Sequence, residues 1–254
     1  MSIAYQLDQG VATLTFNRPD KKNAITGEMY EAIVRHLRES AADKAVRAVL
    51  FTGAGMAFTA GNDLKDFGDP KFARPDSPAL SFMQSLATFD KPVVAAVHGM
   101  AVGIGVTMLL HCDLVYVAEG TKFSMPFVNL GLVPEFGSTL LLPLAAGKVC
   151  AAEKLLLGRP FDAAEAVAMG IANAVLPPAE LLAHAQSVAG SFNALPSGAV
   201  REAKKLLRQA LGTQVQEAIL REAGVFGSRL ASAETREAIA AIREKRAPDF
   251  SRTG

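Results

Sequence analysis

Between Lys91 and Asp113 lie twenty-one residues, PVVAAVHGMAVGIGVTMLLHC, without one Asp, Glu, Lys or Arg. A run this free of charge must leave water, either into a bilayer or into a protein core. Its length suffices for a membrane span. However, Pro92, Gly99, Gly103, Gly105 and two histidines interrupt it, and it divides into a β-branched half and a glycine-rich half. A buried strand over Pro92–Val97, a glycine loop and a buried helix from about Ile104 fit it better.

The same grammar recurs. Val46–Thr52 reads as a strand, followed by the loop GAGMAFTAGNDL and a helix over Pro78–Thr88. Asp113–Val117 reads as a third strand. A strand, glycine loop and helix returning roughly every 45 residues implies an α/β fold of stacked ββα or βαβ units with parallel strands. Upstream, Ile3–Leu7 and Val11–Phe16 alternate around Asp8-Gln9-Gly10, a hairpin signal. Thr26 caps a helix through Ala42, with Met29, Ile33 and Leu37 on its apolar stripe. Beyond Gly137 helices are expected at 138–146, 148–157, 162–169, 178–193, 197–211, 213–230 and 233–245. The simplest organisation is one core with a helical C-terminal part. The row Arg201, Lys204, Lys205 and Arg208 reads as a solvated helix face, and His36 as part of another polar face.

Composition narrows the function. Half the residues are hydrophobic and 20% charged, so a packed globule is expected. A net charge of +1 argues against sequence-independent nucleic-acid binding. Two cysteines, Cys112 and Cys150, make no disulfide framework and read as buried thiols of a reducing compartment. The opening MSIAYQLDQG carries no secretory pattern, so a cytoplasmic protein is expected. The histidines show no metal spacing, and no G-x-S-x-G element is present.

Three places carry chemistry. Gly53-Ala-Gly55 and Ala60-Gly61-Asn62 follow a strand, where glycines let backbone N–H groups approach a ligand. The third glycine of a dinucleotide fingerprint is Phe58 here, so that reading fails, and a tight turn is the plainer alternative. His98-Gly99 and Gly103-Ile104-Gly105 precede an apolar helix, whose first N–H groups suit an anion or a developing oxyanion. Close helix packing is the alternative there. Finally, the 25 residues between Lys122 and Lys148 hold a single charge, Glu135, in Val-Pro-Glu-Phe-Gly. Burial would make it a stronger base; an exposed turn is the other possibility.

These residues, in this order, resemble the enoyl-CoA hydratase/isomerase (crotonase) superfamily along nearly the whole chain. The shared landmarks are Asn17-Arg18-Pro19 with Asn23-Ala24, then Ala57-Phe58-Thr59-Ala60-Gly61-Asn62-Asp63-Leu64, Lys91-Pro92 and Ala95-Ala96-Val97-His98-Gly99. Gly103-x-Gly105, Cys112-Asp113 and Glu244-Lys245-Arg246-x-Pro248-x-Phe250 complete them. The resemblance implies a crotonase-type ββα spiral core, 1–195, and a helical trimerisation region, 196–254, in trimers or dimers of trimers. It implies an acyl-CoA thioester as substrate, without metal or other cofactor, and no nucleic-acid or membrane partner. The backbone N–H groups of Asn62 and Ile104 would polarise the thioester carbonyl. Ala60 would line the adenine pocket, Lys21 or Lys22 would meet CoA phosphates, and Lys245 and Phe250 would reach CoA, within one subunit or across a subunit boundary. Leu64–Ser85 would form the acyl-pocket wall.

The site pattern is most like that of the Δ3,Δ2-enoyl-CoA isomerases. Hydratases hold and activate water with two glutamates, which fall here on Thr107 and Phe127. Glu135 stands where the isomerases carry their catalytic Glu. A 3-enoyl-CoA to 2-enoyl-CoA shift through a thioester dienolate is therefore expected, with an apolar wall of Phe127 and Phe136 excluding water. Hydration, thioester hydrolysis, dehalogenation with Glu135 as nucleophile, and a non-catalytic acyl-CoA or RNA-binding relative are the alternatives.

Overall fold

The computed structural model describes residues 2–68, 74 and 76–253. Strands β1 (Ile3–Asp8) and β2 (Val11–Phe16) form the antiparallel hairpin, with Asp8 opposite Val11. Its two turn residues, Gln9 and Gly10, both take positive φ (42° and 79°), the twist that suits a tight hairpin. Then β3 (Ala48–Gly53), β4 (Val93–Val97), β6 (Leu114–Ala118) and β9 (Ala174–Leu176) add in parallel, giving the order β1-β2-β3-β4-β6-β9. A second sheet has the order β5 (Met100–Val102), β7 (Lys122–Ser124) and β8 (Phe161–Asp162).

Residue parity sorts the main sheet into two cores. Val49, Phe51, Val93, Ala95 and Val97 face the larger one, under helices α1 (Gly27–Ala42) and α2 (Pro78–Ala87). Ala48, Leu50, Val94 and Ala96 face the other way, onto Leu181, Ala185 and Ala189 of α7 (Pro178–Ser191). Both faces are covered, which is why these strands read as continuous apolar runs. The uncharged 21-residue segment resolves into β4, β5, the short helix α3 (Ile104–Thr107) and a 3-10 turn over Met108–His111. Among the described residues, no helix is long and apolar enough to cross a membrane.

The rest is helical: α4 (Ser138–Ala146), α5 (Lys148–Leu157), α6 (Ala163–Ala168), α8 (Ser197–Gln209), α9 (Gly212–Leu230) and α10 (Ala233–Glu244). Three sequence-based expectations need correction. The basic row of α8 is a solvated face only at Arg201 and Lys205, not at Lys204 and Arg208. Lys204 is buried, its Nζ donating to Lys91 O (2.5 Å) and Asp113 Oδ2 (2.6 Å). Arg208 donates to the carbonyls of Ala87, Phe89 and His111. These cations satisfy carbonyls that end strands and helices, so they bind α8 to the core while Lys205 stays outside with Glu202. His36 is half-buried, because its ring stacks on Tyr5 at 4.6 Å. Cys112 and Cys150 are free and only half-buried.

Candidate active site

The first glycine loop is built on Asn23, fully buried at φ 58°. Its Oδ1 accepts from Arg18 N (2.9 Å), and its Nδ2 donates to the carbonyls of Ala54 (2.9 Å) and Ala57 (2.6 Å). Its own carbonyl accepts from Thr59 Oγ1 (2.7 Å), which in turn accepts from Gly61 N (3.0 Å). Arg18 Nη1 reaches Ala24 O and Asp63 Oδ2, tying both ends of the loop. The Asn-Arg-Pro and Asn-Ala landmarks are thus a frame that satisfies a loop's backbone without a sheet.

The second glycine loop lies directly against the first. Val102 N donates to Thr59 O (3.1 Å). A Cβ on Gly61 would stand 2.6 Å from Val102 O, and one on Gly105 would stand 2.4 Å from Thr59 Cγ2. Close packing therefore demands glycine at both positions. It also leaves two donors over. The N–H groups of Asn62 and Ile104 donate to no described residue. Ile104 is the first residue of α3, where no intrahelical acceptor exists, and Gly103 before it takes φ 55°, ψ −118°.

Both residues line one cavity of about 210 Å³, with Ala60, Leu64, Phe67, Phe127, Leu132, Phe226 and Ile242. Its walls are mostly apolar, as a site for an acyl chain requires. Positions 69–73 and 75 of the expected Leu64–Ser85 wall lie outside the described residues. The Asn62 side chain is held by the buried Tyr30 hydroxyl, which donates to Asn62 Oδ1. Burial raises the Tyr30 pKa well above its usual value, and the carboxylates of Glu135 and Asp66 add to that, so the phenol stays protonated.

Glu135 is not an exposed turn residue: it is 2% exposed. Its Oε1 accepts from Thr107 Oγ1 at 3.1 Å. Thr107 ends α3, three residues and about 4.5 Å along the axis from Ile104. The free N–H and the support of the carboxylate thus share one helical turn. Burial above all, opposed by the Thr107 bond and helped by the nearby Glu222 carboxylate, pushes the Glu135 pKa up to about 8. Glu135 does not line the larger cavity. It lines an adjoining one of about 30 Å³ with Leu80, Met83, Ala223 and Phe226. Phe226 belongs to both walls.

Other expected residues are placed differently. Phe127 lines the larger cavity, but Phe136 does not. Its ring stacks on His111 (4.1 Å) and packs edge-on against Phe82 (5.6 Å), because its positive φ of 65° turns it into the core. Burial drives the His111 pKa down to about 4, so the ring is neutral and its Nε2–H donates to Phe136 O (2.7 Å). Lys21 and Lys22 are exposed beside the site, and Lys22 O accepts from Ala60 N (2.9 Å). Lys245 and Phe250 are not brought to the cavity within one chain. After Lys245, at φ 55°, the chain turns back, with Arg246 paired to Glu237 on α10. Ile242, one turn earlier, is the lining residue instead. Sequence reasoning missed Tyr30, Glu222 and Phe226. The last two share a face of α9 with Val215, Ala218 and Ile219, so an acidic residue inside an apolar stripe was the available signal.

Known proteins resemble this chain along nearly its whole length. The family described as Enoyl-CoA hydratase/isomerase matches residues 6–253. A solved structure of Pseudomonas aeruginosa OdaA superposes with a TM-score of 0.93 at 46% identity, covering 95% of this chain and 98% of that one. Enoyl-CoA delta isomerase 2 of Rattus norvegicus is 38% identical over 206 residues, 79% of this chain and 52% of that protein. The 2,3-dehydroadipyl-CoA hydratase of Escherichia coli is 31% identical over 243 residues, 95% of each. Hydratases and isomerases thus both stand among the similar proteins.

Proposed function

The chain belongs to the enoyl-CoA hydratase/isomerase family, and from that premise we propose that it moves the double bond of a 3-enoyl-CoA into conjugation with the thioester. One observation carries this reading: the buried carboxylate of Glu135 accepts from Thr107 on the same helix that offers the free Ile104 N–H. The residues at the two positions of the hydratase glutamates, Thr107 and Phe127, have no carboxylate. The other buried acid nearby, Glu222, already accepts three hydrogen bonds.

Glu135 as carboxylate takes the proton from C2. The electron pair spreads over C2, C4 and the thioester oxygen, and the same proton returns to C4. The 1,3 shift balances without oxidant, reductant or water, so no cofactor enters it. The CoA thioester is the substrate. The N–H groups of Asn62 and Ile104 stabilise the charge on oxygen, each donor contributing about 3–4 kcal/mol. A positioned base contributes roughly 10²–10⁴-fold. Ala60, Lys21 and Lys22 serve the CoA moiety on this reading. Exposed apolar residues of α4, α5 and α8, among them Leu144, Val149, Leu156 and Leu207, serve subunit contacts in a trimer.

A paired assay tests the proposal. One arm supplies a 3-enoyl-CoA and follows the conjugated product; the other supplies a 2-enoyl-CoA and follows its hydration. We expect turnover in the first, reduced roughly 10²–10⁴-fold by Glu135→Gln. Full turnover in Glu135→Gln, or hydration as the dominant activity, would overturn it.

A further inference from the structure

On α9 the apolar stripe Val215, Ala218, Ile219 and Phe226 contains a carboxylate, Glu222, only 5% exposed. Its Oε2 accepts from Gly137 N (2.6 Å); its Oε1 accepts from Thr139 N (3.0 Å) and from the Thr139 hydroxyl. Helix α4 begins here, and its own N-cap, Gly137, has no side chain to offer. Glu222 therefore supplies from another helix the acceptor that a Ser or Asp cap would supply locally. Glu135 lies two residues before Gly137. The residues that link them, Phe136 and Gly137, are both left-handed (φ 65° and 71°), a conformation that a phenylalanine holds only when its surroundings fix it. His111 fixes one side through Phe136 O, and Glu222 fixes the other.

We propose that Glu222 is a positioning residue for the reaction: it holds the turn that aims Glu135 and places a second negative charge behind that carboxylate. The inference rests on Glu135 being the base. Burial raises the Glu222 pKa above its ordinary value, while the three donors, and Arg221 with them, oppose that rise and favour the carboxylate. The other groups around Glu135 are Tyr30 on α1, Thr107 on α3, His111 on the 3-10 turn, and Arg74, which is paired with Asp76. Tyr30 and His111 stay neutral near pH 7, so among the described residues Glu222 is the nearby negative charge.

The test uses the intact protein labelled with ¹³C at glutamate carboxyl carbons. The Glu135 signal is the one lost in Glu135→Gln. In Glu222→Gln the Glu135 titration midpoint should move to lower pH, and the acid limb of kcat/KM should move with it. Glu222→Asp keeps the charge but withdraws it by one methylene. It should hold the midpoint high while kcat falls, approaching the roughly 10²-fold loss that a displacement of about 1 Å produces. An unchanged midpoint and limb in folded Glu222→Gln, or an unaltered kcat in Glu222→Asp, would overturn the proposal. If Glu135 is not the base, the outcome differs: the midpoint moves in Glu222→Gln, but turnover ignores Glu135→Gln.

Discussion

A carboxyl group buried with no cation partner among the described residues stores a measurable cost. In the folded chain Glu135 titrates near 8, against 4.5 when unperturbed. Folded protein therefore holds this proton where unfolded chain has lost it. Its contribution to stability is complete below about pH 4.5 and disappears as pH rises to about 8, at roughly 1.4 kcal/mol per pH unit for one proton. Chemical denaturation between pH 5 and 8 should show this slope, and Glu135→Gln should flatten it. A base mostly protonated at pH 7 also makes kcat/KM climb towards pH 8. Thr107→Val removes the one hydrogen bond that favours the charged form, so the limb should move further up, costing roughly tenfold at pH 7 per unit moved. A limb that stays in place in Thr107→Val would mean that Thr107 does not touch the working carboxylate. At this scale the sequence was informative where chemistry is rare. One acid in 25 otherwise uncharged residues is conspicuous; a tyrosine such as Tyr30 beside an apolar stripe is not.

Elements were legible where periodicity and punctuation agree. Helix α1 runs from its Thr26 cap to Ala42, and Met29, Ile33 and Leu37 are all buried, as the stripe requires. Helix α8 misled because a row of Lys and Arg resembles a solvent face, and periodicity does not register carbonyls waiting across a groove. Its Lys204 is a buried cation, with a pKa lowered to about 8 mainly by burial and kept from falling further by Asp113. Asp113→Ala would leave that charge unpaired, and we expect a loss of about 3–5 kcal/mol in urea denaturation. A loss under about 1 kcal/mol would mean that Lys204 finds water instead. Helix α9 hid its role differently. Phe226 is an ordinary core residue by pattern, yet it lines both the cavity holding the Asn62 and Ile104 N–H groups and the one at Glu135. Phe226→Ala should join the two and raise affinity for longer saturated acyl-CoA thioesters over short ones, measured by calorimetry. Equal affinity changes at every chain length would show that the ring plays no part in chain selection.

The whole molecule was readable as a family before it was readable as a site, because order and spacing of glycine loops survive in a sequence while side-chain convergence does not. The expected division sets a core to residue 195 apart from a helical region beyond it. The C-terminal helices do more than follow the core. α8 caps carbonyls of the α2–β4 connection and binds Asp113, α9 brings Glu222 to the α4 N-terminus and Phe226 to the cavity, and α10 adds Ile242. Contacts of this kind couple the two parts, so they should unfold together. The chain carries a convenient reporter. Its three tyrosines, Tyr5, Tyr30 and Tyr116, all precede residue 195 and no tryptophan competes with them, so tyrosine fluorescence follows the core alone. Far-ultraviolet circular dichroism draws much of its signal from α8, α9 and α10, which together hold 44 residues (13, 19 and 12). The two probes should give coincident urea transitions in the intact protein at several protein concentrations, the mark of one cooperative unit. A dichroism loss that precedes the fluorescence change would instead make the C-terminal helices an independent layer. Binding of an acyl-CoA should then disappear with the first transition, since Phe226 and Ile242 leave the cavity with it.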